Sequence, residues 1–189
     1  MCIAGTYDNA WADEFKGTEG PDRIVGTPED DKIDSKGGID ENFGDAINGD
    51  GSGDDKIDSG DGTDFNYGDT SVGDGSGDDK IDSGDGDDFN TGDTYLGDGS
   101  GDDKIKSGKG NDLNFGDAFI GFGNDQIGTG SGDDKINAGQ GDDQLTGNGG
   151  ADKFQCGKGE DTISDYNPEE GDKATGNCGG IEKENGRNK

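Results

Sequence analysis

The chain has 189 residues, enough for one domain and for little beside a repeat array. A net charge of −30 with only 23% hydrophobic residues is the composition of a disordered chain, because too little apolar surface is available to offset chain entropy. The same charge repels nucleic acid, and no apolar run is long enough to span a membrane.

Taken in chain order, residues 1–16 read as an N-terminal cap. The opening "MCIAGTYDNAWADEF" lacks the basic and apolar regions of a secretory signal. Trp11 and Phe15 are placed to cover an open coil edge. From residue 17 to 122 a repeat takes over. Ile33, Ile57, Ile81 and Ile105 recur at intervals of 24. Asp40, Asp64, Asp88 and Asp112 keep the same interval, each followed by an Asn, at 42, 66, 90 and 114. A third series runs through Gly44, Gly68, Gly92 and Gly116, each followed by an Asp, at 45, 69, 93 and 117. Three marked segments per period imply a coil with three sides. Between 123 and 164 the period shortens to nine, with Ile127, Ile136, Leu145, Phe154 and Ile163 in step. Residues 165–189 form a closing segment, "DYNPEEGDK", and a solvated tail, "IEKENGRNK". Of the three cysteines, Cys156 and Cys178 flank the last repeat, either as a disulfide in an oxidising compartment or as packed thiols; Cys2 is left over.

Short strands of the form Asp-x-Ile, separated by Gly-rich turns, cannot bury a face alone, but stacked as successive coils they can. The predicted fold is therefore all-β: a parallel β-roll or β-helix solenoid whose middle block has 24-residue, three-sided coils. One interior column is expected through Ile33, Ile57, Ile81 and Ile105, and a second through Val72, Leu96 and Ile120. The middle side is open to two arrangements. Either Phe65, Phe89 and Leu113 turn inward, the preferred one, or the asparagines form an interior ladder and the aromatics line an outer face.

Stacking sets like charges above one another. In a column such as Asp31, Asp55, Asp79 and Asp103, strands about 4.8 Å apart leave each adjacent pair of carboxylates repelling by about 3 kcal/mol at an effective dielectric near 20. Cations between the aspartates reverse that sign. Ca²⁺ suits the chemistry, since it accepts many oxygen ligands in loose geometry, whereas Mg²⁺ demands a tight octahedron and holds its water. A soft-metal site has little to build on, with no His and three scattered cysteines.

The segment "GSGDDKINAGQGDDQLTGNGGADKF" from Gly130, with "GPDRI", "GDDKI", "GNDQI" and "GEDTI" elsewhere, resembles the repeats-in-toxin (RTX) nonapeptide G-G-x-G-x-D-x-U-x, in which U is a large apolar residue. The likeness extends, with interruptions, from about Gly17 to Ile163. It implies a β-roll in which turn carbonyls and the sixth-position Asp of stacked coils share Ca²⁺. Carried over by position, those aspartates are Asp22, Asp31, Asp55, Asp79, Asp103, Asp125, Asp134, Asp143, Asp152 and Asp161, with Asp40, Asp64, Asp88 and Asp112 in the second nonapeptide of each long coil. Asp45, Asp69, Asp93 and Asp117 have no counterpart in that pattern, and form either a further cation column or a solvated edge.

The expected function is calcium binding that drives folding: the chain is disordered at cytosolic calcium and ordered at the millimolar level outside cells, as an extracellular structural or surface module. The resemblance also implies export without a cleaved N-terminal signal. Catalysis is disfavoured, because every Asp pair copies its neighbours and no His is present to activate a nucleophile. The alternative is a recognition or adhesion solenoid, binding carbohydrate through outward aromatics or ice through a flat face, or a self-assembling surface protein. Thr70 and Thr94 are in register for an ice face, but Ala46 and Ala118 interrupt their column.

Overall fold

The computed structural model describes residues 2–4, 13–117 and 121–183. Trp11 of the expected cap, Ala118, Ile120 and the end of the tail lie outside them. All the described regular structure is strand, wound into a stack of parallel coils with two nine-stranded sheets. One sheet, the isoleucine sheet, stacks Glu14–Lys16, Lys32–Asp34, Lys56–Asp58, Lys80–Asp82, Lys104–Lys106, Gln126–Gly128, Gln144–Thr146, Thr162–Tyr166 and Gly180–Lys183. The other, the asparagine sheet, stacks Cys2–Ala4, Arg23–Val25, Glu41–Phe43, Phe65–Tyr67, Phe89–Thr91, Leu113–Phe115, Lys135–Asn137, Lys153–Gln155 and Lys173–Thr175.

Alternation within each short strand decides what is buried. In Lys56–Asp58 the central Ile57 points inward and is fully buried while its neighbours are exposed. Ile33, Ile57, Ile81 and Ile105 pair directly across the sheet and continue through Ile127, Leu145 and Ile163. Phe15 sits at the start of this column, paired with Ile33 and buried in the same core. The first expected column is thus present as one apolar spine.

The asparagine sheet corrects the preferred arrangement. Asn42, Asn66, Asn90 and Asn114 are fully buried, whereas Phe65 is 42% exposed and Phe89 and Leu113 lie on the outer face. The carboxamides tolerate the interior because they satisfy one another along the ladder, with Asn42 Oδ1 at its first rung left unpaired. Asn42, Asn66 and Asn90 each donate from Nδ2 to the Oδ1 of the Asn one coil on, at 2.9 Å. The same nitrogens donate to the hydroxyls of Ser35, Ser59 and Ser83, and Asn114 donates to Ser107. A ladder of this kind avoids the penalty of an unpaired buried amide. Outside it, the aromatics form their own stack: Phe43 lies parallel to Tyr67 with centroids 4.8 Å apart, and Phe89 touches Phe65, Tyr67, Phe115 and the edge of Tyr95.

The third side exists only in the long coils and is held by isolated bridges rather than strands, Asn48 to Val72 to Leu96 and Gly51 to Gly75 to Gly99. Its apolar residues do not point inward as expected: Val72 is 44% and Leu96 55% exposed. Thr70 and Thr94 are buried instead, with their hydroxyls 3.3 Å apart, so they present no outer face for ice. The reason is the turn. Asp69 and Thr70, like Asp93 and Thr94, are buried in succession immediately after the asparagine sheet, so the period-two alternation of a strand is broken there and Val72 and Leu96 are left outside.

At the far end Cys156, buried in the core, forms a disulfide with Cys178. The bond ties the closing segment to the last coils.

Candidate metal centre

The nonapeptide aspartates stand where each turn enters a strand, and stacking assembles them into two columns. One runs through Asp31, Asp55, Asp79, Asp103, Asp125, Asp143 and Asp161; the other through Asp22, Asp40, Asp64, Asp88, Asp112, Asp134 and Asp152. Every one of these side chains is buried, at 5% exposure or less. The spacing between rungs is 24 residues in the long coils, 22 at the change of coil and 18 in the short ones.

One carboxylate oxygen in each rung is committed to the fold. The backbone N–H of Asp55 donates to Oδ1 of Asp79 at 2.7 Å, that of Asp79 to Asp103 at 2.9 Å, and that of Asp103 to Asp125 at 2.9 Å. On the opposite side Asp40 donates to Asp64, Asp64 to Asp88, and Asp88 to Asp112 in the same manner. The other oxygen is left over. Oδ2 of Asp40, Asp55, Asp64, Asp79, Asp88, Asp103, Asp112, Asp125, Asp134, Asp143 and Asp161 is buried with no hydrogen-bond partner. Buried anionic oxygens without donors are strongly unfavourable, and here they recur in every middle coil.

The glycine before each turn makes room for these atoms. A methyl group at Gly68 would lie 1.6 Å from the Gly92 carbonyl oxygen and 2.2 Å from Oδ2 of Asp79. Backbone carbonyl and free carboxylate oxygen therefore face the same small space, as a hard cation requires.

Burial disfavours the charged form, and the neighbouring carboxylates add to it. Asp55 and Asp125 are pushed up to about 9, and Asp79 and Asp103 well above the usual carboxylate range, chiefly by burial. On the opposite side Asp88 is raised to about 7 and Asp64 to about 6 for the same first cause. The larger shifts fall on the side that the third face covers.

The two ends of the columns differ from the middle. Oδ2 of Asp31 accepts from the backbone N–H and hydroxyl of Thr27, and Oδ2 of Asp22 from those of Thr18. At the other end Asp172, which the nonapeptide pattern does not reach, extends the second column: its Oδ1 accepts from the N–H of Asp152 at 2.9 Å and its Oδ2 from that of Asn167 at 2.7 Å. Its signal in the sequence is "GDK", a shortened copy of "GDDK".

Asp45, Asp69, Asp93 and Asp117 are not a solvated edge. They are buried to between 0% and 3% exposure. Carboxylate oxygens of Asp45, Asp55 and Asp69 lie within 4.8 Å of one another, as do those of Asp69, Asp79 and Asp93.

With the two carboxylate columns in place, the comparison with known families is decisive. The family model of the RTX calcium-binding nonapeptide repeat matches in four copies, at residues 12–41, 90–121, 119–154 and 128–163, together more than half of the chain. The chain belongs to the RTX calcium-binding repeat family. No curated protein and no solved structure is significantly similar to it. RTX nonapeptide repeats bind Ca²⁺, and the residues present fit that ion: orphaned carboxylate oxygens, Gly-lined turns and no competing soft ligand in the columns. Among the described residues, no helix is long and apolar enough to cross a membrane.

Proposed function

We propose that this RTX chain is an extracellular structural module whose folding is switched on by calcium. The observation that carries the reading is the row of partnerless Oδ2 atoms in both aspartate columns. The residues proposed to hold Ca²⁺ are Asp40, Asp64, Asp88, Asp112, Asp134 and Asp152 on one side and Asp55, Asp79, Asp103, Asp125, Asp143 and Asp161 on the other. Asp22 and Asp31 close the columns through Thr18 and Thr27. Calcium supplies the positive charge that the columns lack. Because the site does not exist in the unfolded chain, its binding free energy becomes folding free energy.

The same chemistry supports a location outside the cell. Extracellular calcium modules work at about 10⁻⁴–10⁻³ M, a level at which the coil is saturated outside a cell and empty within it. The disulfide between Cys156 and Cys178 supports an oxidising compartment. The outward stack of Phe65, Tyr67, Phe89 and Tyr95 is the surface such a module offers to its surroundings.

The test is a calcium titration of the metal-free chain followed by far-UV circular dichroism, with magnesium in parallel. A cooperative change from coil to β signal near millimolar calcium, absent with magnesium, is expected. A β signal already present in chelator and indifferent to calcium would refute the proposal.

A further inference from the structure

The long coils carry one carboxylate that the nonapeptides do not. Asp45, Asp69, Asp93 and Asp117 each follow the asparagine-sheet strand by two residues, within the six-residue insertion that adds the third side. Backbone bonds set them one above another: Asp45 N–H donates to the carbonyl of Asp69 at 3.0 Å, and Asp69 N–H to that of Asp93 at 3.2 Å. The stack leans against the neighbouring nonapeptide column, which yields the two triads Asp45–Asp55–Asp69 and Asp69–Asp79–Asp93.

Both oxygens of Asp69 and both of Asp93 are buried without a hydrogen-bond partner, and Asp45 leaves Oδ1 unpaired. Asp45, Asp69 and Asp93 have no solvent exposure at all. The five ion pairs described elsewhere in the chain involve none of these residues. Gly75 closes over Asp69 from the third side, where a methyl group would lie 2.4 Å from Oδ2. An isolated surface cluster of acids would turn its oxygens to water. Here they are directed at one another in a space that solvent does not reach.

We propose that the two triads are enclosed calcium sites, built by the insertion, that hold the ion with no water in its inner shell. The inference rests on the calcium reading above and adds a second class of site to it. Oxygens with no other partner number four in the first triad and five in the second, Asp69 counting in both. A second lone pair on the hydrogen-bonded oxygens brings each set toward the six that calcium takes at the low end, while magnesium would have to give up water that it holds tightly. Asp69 belongs to both triads, so both sites depend on it. Enclosure also makes release of these ions contingent on opening of a coil.

Terbium, a luminescent calcium substitute, tests this on the full chain, because its excited-state lifetime in H₂O against D₂O counts inner-sphere waters. The expected decay has two components, one insensitive to the isotope. That component disappears in Asp69→Asn while the sensitive component stays. If every bound terbium in the wild type is isotope-sensitive, or if the insensitive component persists in Asp69→Asn, the proposal is overturned. The wild-type decay decides by itself should Asp69→Asn fail to fold. A chain that binds terbium nowhere and keeps its far-UV spectrum when calcium is added would instead overturn the parent reading.

Discussion

Replacing Asp79, Asp103 and Asp125 together by Asn is expected to move stability in opposite directions with and without calcium. Asn keeps an Oδ1 to accept the rung hydrogen bond from the preceding coil, so the backbone ladder survives. In chelator the variant removes three of the most strongly destabilised charges in the chain. Adjacent charges repel by at most about 3 kcal/mol per pair at an effective dielectric near 20, a cost that Asn removes and that the metal-free wild type otherwise meets by taking up protons. The metal-free variant therefore shows more β signal than the metal-free wild type. In calcium the order reverses, since affinity follows the charge of the ligand set, and the calcium midpoint for folding rises by about tenfold or more. Parallel circular dichroism melts in chelator and in calcium check both halves. A variant less stable than the wild type in both conditions would mean that the carboxylates contribute through hydrogen bonding alone.

Acid is expected to substitute in part for calcium. Burial raises Asp55, Asp93 and Asp125 to about 9, Asp69 to about 8, and Asp88, Asp117 and Asp143 to about 7, from an ordinary value of 3.8. A carboxyl group whose pKa is higher folded than unfolded binds protons preferentially in the folded state. Its contribution is complete below the unfolded pKa and is lost as pH rises through the folded one. Metal-free chain titrated from about pH 9 down to about pH 5 should consequently gain β structure. With calcium bound the same protons compete for the ligand oxygens, so the calcium midpoint rises over that range. Loss of residual structure on acidifying the metal-free chain would contradict the burial of these groups.

Much of the solenoid was legible in the sequence because its strongest signals are strictly periodic. A column such as Ile33, Ile57, Ile81 and Ile105 requires only a fixed interval and an apolar residue, and the structure pairs those positions directly. The nonapeptide aspartates were legible for the same reason, and stacking brings them into the two columns that their spacing implies. The asparagine sheet was harder, because a one-residue change of phase exchanges the faces of a strand. Apolar preference alone favoured Phe65 and Phe89 inside. The deciding signal is a pairing within the repeat: Ser35, Ser59, Ser83 and Ser107 each stand seven residues before a buried Asn and accept its amide. Where the core residue is Phe154, the position seven before it is Gly147, which leaves room for the ring. The third side was misread because it has no strands, only single bridges, so strand alternation does not extend across it from Gly68 to Val72. Asp172 was missed because its interval of 20 falls outside both periods.

The central claim is that cations join the free carboxylate oxygens of successive coils. Anomalous scattering from crystals grown in calcium locates those ions directly. The account predicts a file of peaks along each column, one coil or about 4.8 Å apart, each about 2.3–2.6 Å from an Oδ2 such as that of Asp79, Asp103, Asp64 or Asp88. The same coil with no anomalous peak within ligand distance of these oxygens would contradict it, and would leave the buried carboxylates to be held by protons.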